Sequence, residues 1–340
     1  MKARRWAVWM LAAAVFVALR LKFNREYDGA SWEALVAGTA KLPFGHRVLV
    51  PWLVRPFVDA GLSIRSAFGI TEWLATLGVL SGVHAALRRF VSDREASVGA
   101  LAFVGVLGLA FLLRFRWPSF YPWDTPAIAC MAWGVALASA CKHGPLVVLA
   151  VVGAANRESA ILLPCLTLAM LWFTEHRAEA VRSASLQSVG VVLVRLAVGI
   201  LHPIGKGGAV DLRVAGMWRI DHNLQWLSDP MHALVILGAF SGLPMLWVLL
   251  RGSMPRSLRR LELVLVPVFA GLLVVANIYE PRAFGEPLTL LYLGVAVGAL
   301  RWMQQRDPEP PVGVLERWGA LAMLAAVVIA LGVWSLLPTA

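Results

Sequence analysis

Two aspartates and three arginines stand where the chain is otherwise apolar. Asp28 and Asp124 each lie just outside a long apolar run, and Arg47, Arg157 and Arg282 sit in or beside such runs. The chemistry open to them is narrow. A carboxylate within hydrogen-bond reach of a hydroxyl acts as a general base. A guanidinium offers a planar fork that matches phosphate oxygens. The most informative of these positions is Asn156-Arg157-Glu158-Ser159, which interrupts an apolar stretch running from Pro145 to Phe173. A charge at the centre of a membrane helix costs about 2.5–3.5 kcal/mol on insertion scales, so such residues face the bundle interior or a water-filled cavity. Adjacent residues on a helix do not face each other. Arg157 and Glu158 therefore have different partners, or the backbone breaks between two short helices. The plainer reading is a pair that only fixes a bend; the adjacency favours a site lining.

Four further polar islands accompany it. Arg25-Glu26-Tyr27-Asp28 is either an ordinary solvated loop or a carboxylate held near a membrane surface. Pro43–Trp52 contains His46-Arg47, which either place two donors at headgroup level or snorkel at the interface. Arg114–Pro126 ends on Asp124, either a helix N-cap with Pro126 in the first turn or a second functional carboxylate. In Asn277–Pro287 two prolines break the helix around Tyr279, Glu280 and Arg282, candidates for the rim or floor of a cavity. Arg195, alone in an apolar run, needs a partner, and Glu158 is the one at hand. His84 reads as structural, and Asp221-His222-Asn223 as a solvated loop.

These islands need elements to hold them. Of the 340 residues 59% are hydrophobic and only 15% charged, against about 25% charged in ordinary soluble domains. Several runs reach the roughly 18–20 apolar residues needed to cross a bilayer. The expectation is an all-α, polytopic membrane helix bundle forming a single integral membrane domain over 1–340. Eleven hydrophobic helices are expected near 6–21, 67–87, 96–113, 124–141, 145–155, 160–173, 184–201, 230–250, 261–279, 285–300 and 317–336. The fifth and sixth are too short to span and suggest a bent hairpin with Asn156–Ser159 at its apex. The outer loop 22–66 mixes aromatics with charges in a pattern that suits interfacial helices, and 306–316 reads as a polar, proline-rich cytoplasmic linker. Met1-Lys-Ala-Arg-Arg followed by an apolar run without a small-residue cleavage pattern points to a retained first helix.

With the N-terminus cytoplasmic, the inside loops carry Arg88-Arg89, Lys142, Arg177 and Arg182, the 251–260 arginines and Arg301. The long outer loops are also basic, because long loops obey the charge rule poorly or because that face binds an anion. The net charge of +11 follows these loop ends and does not indicate nucleic acid. Cys130, Cys141 and Cys165 lie in apolar segments without metal or disulfide spacing. No HExxH, GxSxG or Walker motif occurs, so no cofactor is expected, with a divalent metal left open.

Taken in order, the islands resemble polytopic bacterial proteins related to the glycosyltransferase C-fold (GT-C) superfamily. The matching pattern is Tyr27-Asp28, Phe44-Gly-His-Arg47-Val-Leu-Val-Pro51-Trp52, Tyr121-Pro-Trp-Asp124-Thr-Pro-Ala, Asn156-Arg157-Glu158-Ser159 and Glu280-Pro-Arg282-Ala-Phe-Gly-Glu286, covering most of residues 1–290. The resemblance implies a transferase in the bacterial cytoplasmic membrane, in contact with membrane lipid. It would move a sugar from a polyprenyl-phosphate donor to an acceptor at the outer face. It implies Asp28 as base and Asp124 as a second carboxylate that assists it or positions the acceptor. Arg157, Arg282 and Arg47 would hold the donor phosphate, which leaves carrying negative charge. Preorganised cations aimed at developing charge are an effective catalytic device. Tyr27, His46, Asn156, Glu158, Tyr279 and Glu280 complete the candidate substrate contacts. Two other classes stay open: a secondary transporter or lipid flippase built on broken helices around a midplane charged site, and a non-catalytic subunit of an envelope-assembly complex.

Overall fold

The computed structural model describes residues 2–41, 44–112, 119–201 and 219–304. The expected linker 306–316 and last helix 317–336 lie outside those residues, as do 113–118 of the Arg114 island and 202–218 of an outer loop. The chain divides into two compact units. The first comprises Met1–Val104 with Ser119–Met217, the second Gly105–Pro118 with Trp218–Ala340.

All regular elements among the described residues are helical. The first unit opens with α1 (Lys2–Phe23), followed by two short helices in the outer loop, α2 (Trp32–Ala37) and α3 (Leu49–Asp59). Ser31 Oγ caps α2 by accepting from the Ala34 N–H at 3.2 Å, and Gly38, at φ +73°, closes it in a conformation that disfavours a side chain. Helix α3 buries Val50 and Val54 and exposes Trp52, Leu53 and Arg55, the two-faced pattern expected of an interfacial helix. Then come α4 (Ile64–Leu87), α5 (Asp93–Leu112, assigned to the second unit from Gly105 onward), α6 (Asp124–Ser139), α7 (His143–Asn156), α8 (Leu162–Leu171) and α9 (Arg177–Leu201).

The second unit contains α10 (Ile220–Leu227), α11 (Pro230–Ala239), α12 (Leu243–Leu250), α13 (Arg256–Arg259), α14 (Glu262–Val275) and α15 (Gly285–Gln304). Phe240, Phe269 and Phe284 stack together in it. Glu262 accepts from the Trp247 indole at 3.0 Å and from both arms of Arg251 at 2.7 and 2.9 Å.

Helix forms in each of the first ten expected stretches, but among the described residues length and apolarity qualify five helices as membrane spans, in α1, α4, α5, α9 and α15. The expected 230–250 helix is broken: α11 and α12 meet at 73°, and counting them as one span raises the number to six. Ser241 and Gly242 both take positive φ at that break, which no continuous helix allows.

Helices α7 and α8 are the short pair. At 1.5 Å per residue the 14 residues of α7 cover about 21 Å, short of the roughly 30 Å hydrocarbon thickness. Their contacts with α9 fix their direction. His143 at the start of α7 meets Glu179, and Ala154 near its end meets Arg195, so α7 runs parallel to α9. Thr167 of α8 meets Gln187, so the chain has doubled back. The expected hairpin is therefore present, with both ends beside the start of α9 and its apex two-thirds of the way along that helix.

The same contacts set two poles in the first unit. Arg5, His84 and Arg88 converge on Asp93, while Arg89 reaches the Ser139 carbonyl and His143 faces Glu179. His84 is structural here, buried with its ring edge on Trp9. The basic positions Arg88-Arg89, Lys142 and Arg177 thus share one pole. The end of α1, the starts of α4 and α6, and the hairpin apex share the other.

The contact between α4 and α6 is the most extensive in this unit. Gly78 and Gly82, four residues apart on α4, let α6 approach, and the Trp133 indole donates to the Gly78 carbonyl at 3.2 Å. A Cβ on Gly82 would come within 2.8 Å of the Trp133 ring and 3.1 Å of the Ala132 methyl. Small residues spaced in this way are how helices pack where lipid supplies no hydrophobic drive between them. Gly82→Ile is expected to destabilise the protein by about 1–3 kcal/mol through overpacking, read as a lower unfolding temperature in detergent. Gly144→Ala, where a Cβ meets nothing within 4 Å, is the control that should leave it unchanged.

Candidate functional site

The chemistry-bearing residues of the first unit meet at the apical pole, and the local backbone explains why. Helix α7 ends at Asn156, Arg157 is extended, and a single 3-10 turn over Glu158–Ile161 leads into α8. An extended residue sends successive side chains to opposite sides. Arg157 accordingly turns to Asp124, with its Nη1 3.2 Å from the Asp124 Oδ1. Glu158 turns the other way, to Arg195 at 3.0 Å and Arg47 at 3.3 Å. Both sequence expectations hold: the backbone breaks, and the two charges have separate partners. Arg195 also has the partner expected for it, and donates as well to the His46 carbonyl at 2.8 Å.

Asp124 is not the N-cap. Trp123 occupies that position without a side-chain cap bond, and Asp124 is the first helical residue of α6. There its charge complements the positive helix end. It is buried, with Arg20 on one side at 3.8 Å and Arg157 on the other. Arg20, fully buried, also pairs with Glu72 and donates to the Tyr121 carbonyl at 2.9 Å and the Thr125 hydroxyl at 2.5 Å. The Thr125 hydroxyl in turn donates to Glu72 at 2.5 Å. Asn156, buried, donates to the Trp123 carbonyl at 2.8 Å and ties the hairpin to the head of α6.

These pairs form two short runs, Glu72–Arg20–Asp124–Arg157 and Arg47–Glu158–Arg195, joined into a ladder only through the adjacent residues Arg157 and Glu158. Four guanidiniums, of Arg20, Arg157, Arg47 and Arg195, face three carboxylates, of Glu72, Asp124 and Glu158. With all seven ionised the ladder holds one excess positive charge. Side-chain exposure rises along it, from 0% at Arg20 through 16% at Arg157 to 44% at Glu158. At its open end the Glu158 carboxylate lies between the Arg47 and Arg195 guanidiniums.

Aromatic rings wall this end. Phe44 stacks on Tyr121 and Trp123, and Tyr27 packs against Phe44 and Tyr121. The Arg47 guanidinium lies 4.7 Å from the centre of the Trp123 ring, a favourable cation–π position. Arg47 is therefore directed inward rather than snorkelling. His46 contributes its carbonyl to Arg195.

Asp28 stands apart from the ladder. It is exposed and makes no hydrogen bond or ion pair among the described residues, although its neighbour Tyr27 reaches the aromatic wall. Sequence reasoning missed Arg20, Glu72 and Thr125. Glu72 could have been found, because an acid inside the 67–87 apolar run is as costly as Arg157. Arg20 resembled an ordinary flanking charge at the end of α1.

In the second unit Glu280 pairs with Arg282 and accepts from Asn277 at 2.8 Å, while Tyr279 packs edge-on to His222 and near Trp226. The solvated loop expected at Asp221–Asn223 is instead helix α10, with Asn223 buried. Its amide donates to the Leu273 and Ala276 carbonyls, both at 2.7 Å, and its oxygen accepts from the Ile278 N–H at 3.1 Å. One side chain thus caps the carboxyl end of α14, whose last carbonyls have no partner within the helix. Asn223→Ala leaves these buried groups unmet, at about 1–3 kcal/mol each. Faster hydrogen exchange over 273–280 than in the wild type is the expected readout.

No protein-family model matches the chain, and no curated protein matches it either.

Proposed function

We propose that the chain is an integral membrane glycosyltransferase related to the GT-C superfamily, built as an eleven-helix bundle with a cytoplasmic N-terminus. It moves a sugar from a polyprenyl-phosphate donor to an acceptor at the outer face of the bacterial cytoplasmic membrane. The observation that carries the reading is the charged ladder. A buried Asp124–Arg157 pair at the apex of a re-entrant hairpin leads to a partly exposed end where two guanidiniums, of Arg47 and Arg195, flank Glu158 beside a wall of aromatic rings. Stacking rings suit sugar faces, and a cationic end suits a lipid phosphate.

In this reading Asp28, exposed on the loop beside that wall, removes the acceptor proton. Asp124 holds Arg157 in place and positions the acceptor. Arg157 and Arg47 hold the leaving phosphate, which a guanidinium's planar fork of donors suits. Tyr27, His46, Asn156 and Glu158 shape the pocket. In the second unit Arg282, with Glu280 and Tyr279, is a separate candidate for phosphate binding.

The test is transfer of labelled sugar from a synthetic polyprenyl phosphate by the purified protein. Product is expected; its absence with every donor sugar tried refutes the reading. The 73° break between α11 and α12, together with the half-spanning hairpin, favours a second reading as a transporter or lipid flippase. Movement of lipid or ions across liposomes with no bond made or broken would support that one.

A further inference from the structure

A recess of about 510 Å³ lies between the end of α1, the start of α2 and the start of α4, and none of the ladder's charged residues lines it. Asn24 and Trp32 line it, each only 7% exposed. Among the described residues neither amide atom of Asn24 has a hydrogen-bond partner, and neither has the indole nitrogen of Trp32. A buried polar group left unmet costs about 1–3 kcal/mol, so a ligand that reached these two residues would gain from meeting them.

The rim carries two charges of each sign, Arg25 and Arg65 with Glu26 and Glu33, all exposed. Arg65 donates one N–H to the Leu21 carbonyl at 2.9 Å, and Glu26 accepts the Trp32 N–H at 3.2 Å through one oxygen. Each keeps further donor or acceptor capacity. A simple anion here meets two carboxylates and a simple cation meets two guanidiniums. A ligand with one charge of each sign meets a partner for both, which is how paired charges select. Leu21 and Ile64 bound the recess on its apolar side, at the ends of two helices long enough to span a bilayer.

We propose that this recess binds the headgroup of a zwitterionic phospholipid bearing a primary ammonium. The phosphate faces Arg25 and Arg65, and the ammonium faces Glu26 and Glu33. Asn24 and the Trp32 indole turn to the phosphate and glycerol oxygens, and Leu21 and Ile64 meet the start of the acyl chains. This site is independent of the glycosyltransferase reading and stands if that reading fails.

The experiment is native mass spectrometry of the full chain in detergent, titrated with short-chain phosphatidylethanolamine, phosphatidylglycerol, glycerophosphoethanolamine and methyl glucoside. Phosphatidylethanolamine is expected to bind about tenfold more tightly than phosphatidylglycerol, and glycerophosphoethanolamine to compete only at higher concentration. Arg65→Gln and Glu33→Gln, both at exposed positions, should each weaken it about tenfold with an unchanged unfolding temperature. Glu33→Lys should reverse the preference towards phosphatidylglycerol. Equal binding of the two lipids with no effect of Glu33→Gln would mean a bare phosphate site and overturn the proposal. Displacement of the lipid by methyl glucoside, or no lipid bound above detergent background, would overturn it as well.

Discussion

Arg20→Met is expected to abolish recovery of folded, monodisperse protein. Arg20 is fully buried and is the cation for Glu72 and, at 3.8 Å, for Asp124. Its loss leaves Glu72, itself 2% exposed, without a counter-charge. Breaking a buried pair by removing one partner costs about 3–5 kcal/mol, a large part of a typical 5–15 kcal/mol stability. The same principle predicts the rescue. Replacing both partners by apolar residues of similar size is often neutral, so Arg20→Met with Glu72→Leu should restore much of the yield. Asp124 keeps Arg157 in that double variant. An additive double variant, no better than the single one, would show that the cluster does not depend on this pair. The exposed Arg55–Asp59 pair at 3.9 Å is the contrast. Exposed pairs contribute about 0–1 kcal/mol, and Arg55→Met should leave folding alone.

The second large effect concerns Asp28 and rests on the proposed transferase activity. Asp28→Asn should reduce kcat for sugar transfer by about 10²–10⁴-fold, the usual contribution of a general base, with little change in donor affinity or unfolding temperature. The side chain is exposed and bonded to nothing among the described residues, so its loss has no structural consequence to mask the catalytic one. Asp124→Asn should behave differently, lowering stability and activity together, because it removes the anion between Arg20 and Arg157. Full activity in Asp28→Asn would move the base elsewhere, with Glu26 on the same loop the next to substitute.

The parts of this molecule that were legible in its sequence are those with a price in apolar surroundings. Arg157, Glu158 and Arg195 interrupt hydrophobic runs, and their mutual arrangement followed from spacing and helix geometry. The short runs on either side of Asn156 already implied a hairpin. Glu72 carried the same signal and was obscured by the length of the run around it. Other features depended on contacts that no local pattern encodes. Arg20 acquires its partners from α4 and α6, far along the chain. Asn223 sits in a polar tripeptide that reads as a loop until its carbonyl partners at 273 and 276 are known. The break at Ser241-Gly242 hides inside an uninterrupted apolar run, because positive φ at a serine has no signature in composition. Trp123 displaced Asp124 from the capping position, since a one-residue difference lies within the uncertainty of any helix boundary.

The hairpin also constrains the order of assembly. Neither α7 nor α8 is long enough to settle across a bilayer by itself. Their polar turn needs Asp124 from the preceding helix and Arg195 from the following one. Arg195 lies 37 residues beyond Glu158, so the turn is synthesised well before its last counter-charge. During that interval the growing chain holds an unfinished loop anchored by Asp124 of α6 and by Arg47 of the outer loop, without its third partner. A ribosome paused between the two would present Glu158 without its Arg195 partner, and stretches that slow translation there are where misassembly of this protein should begin.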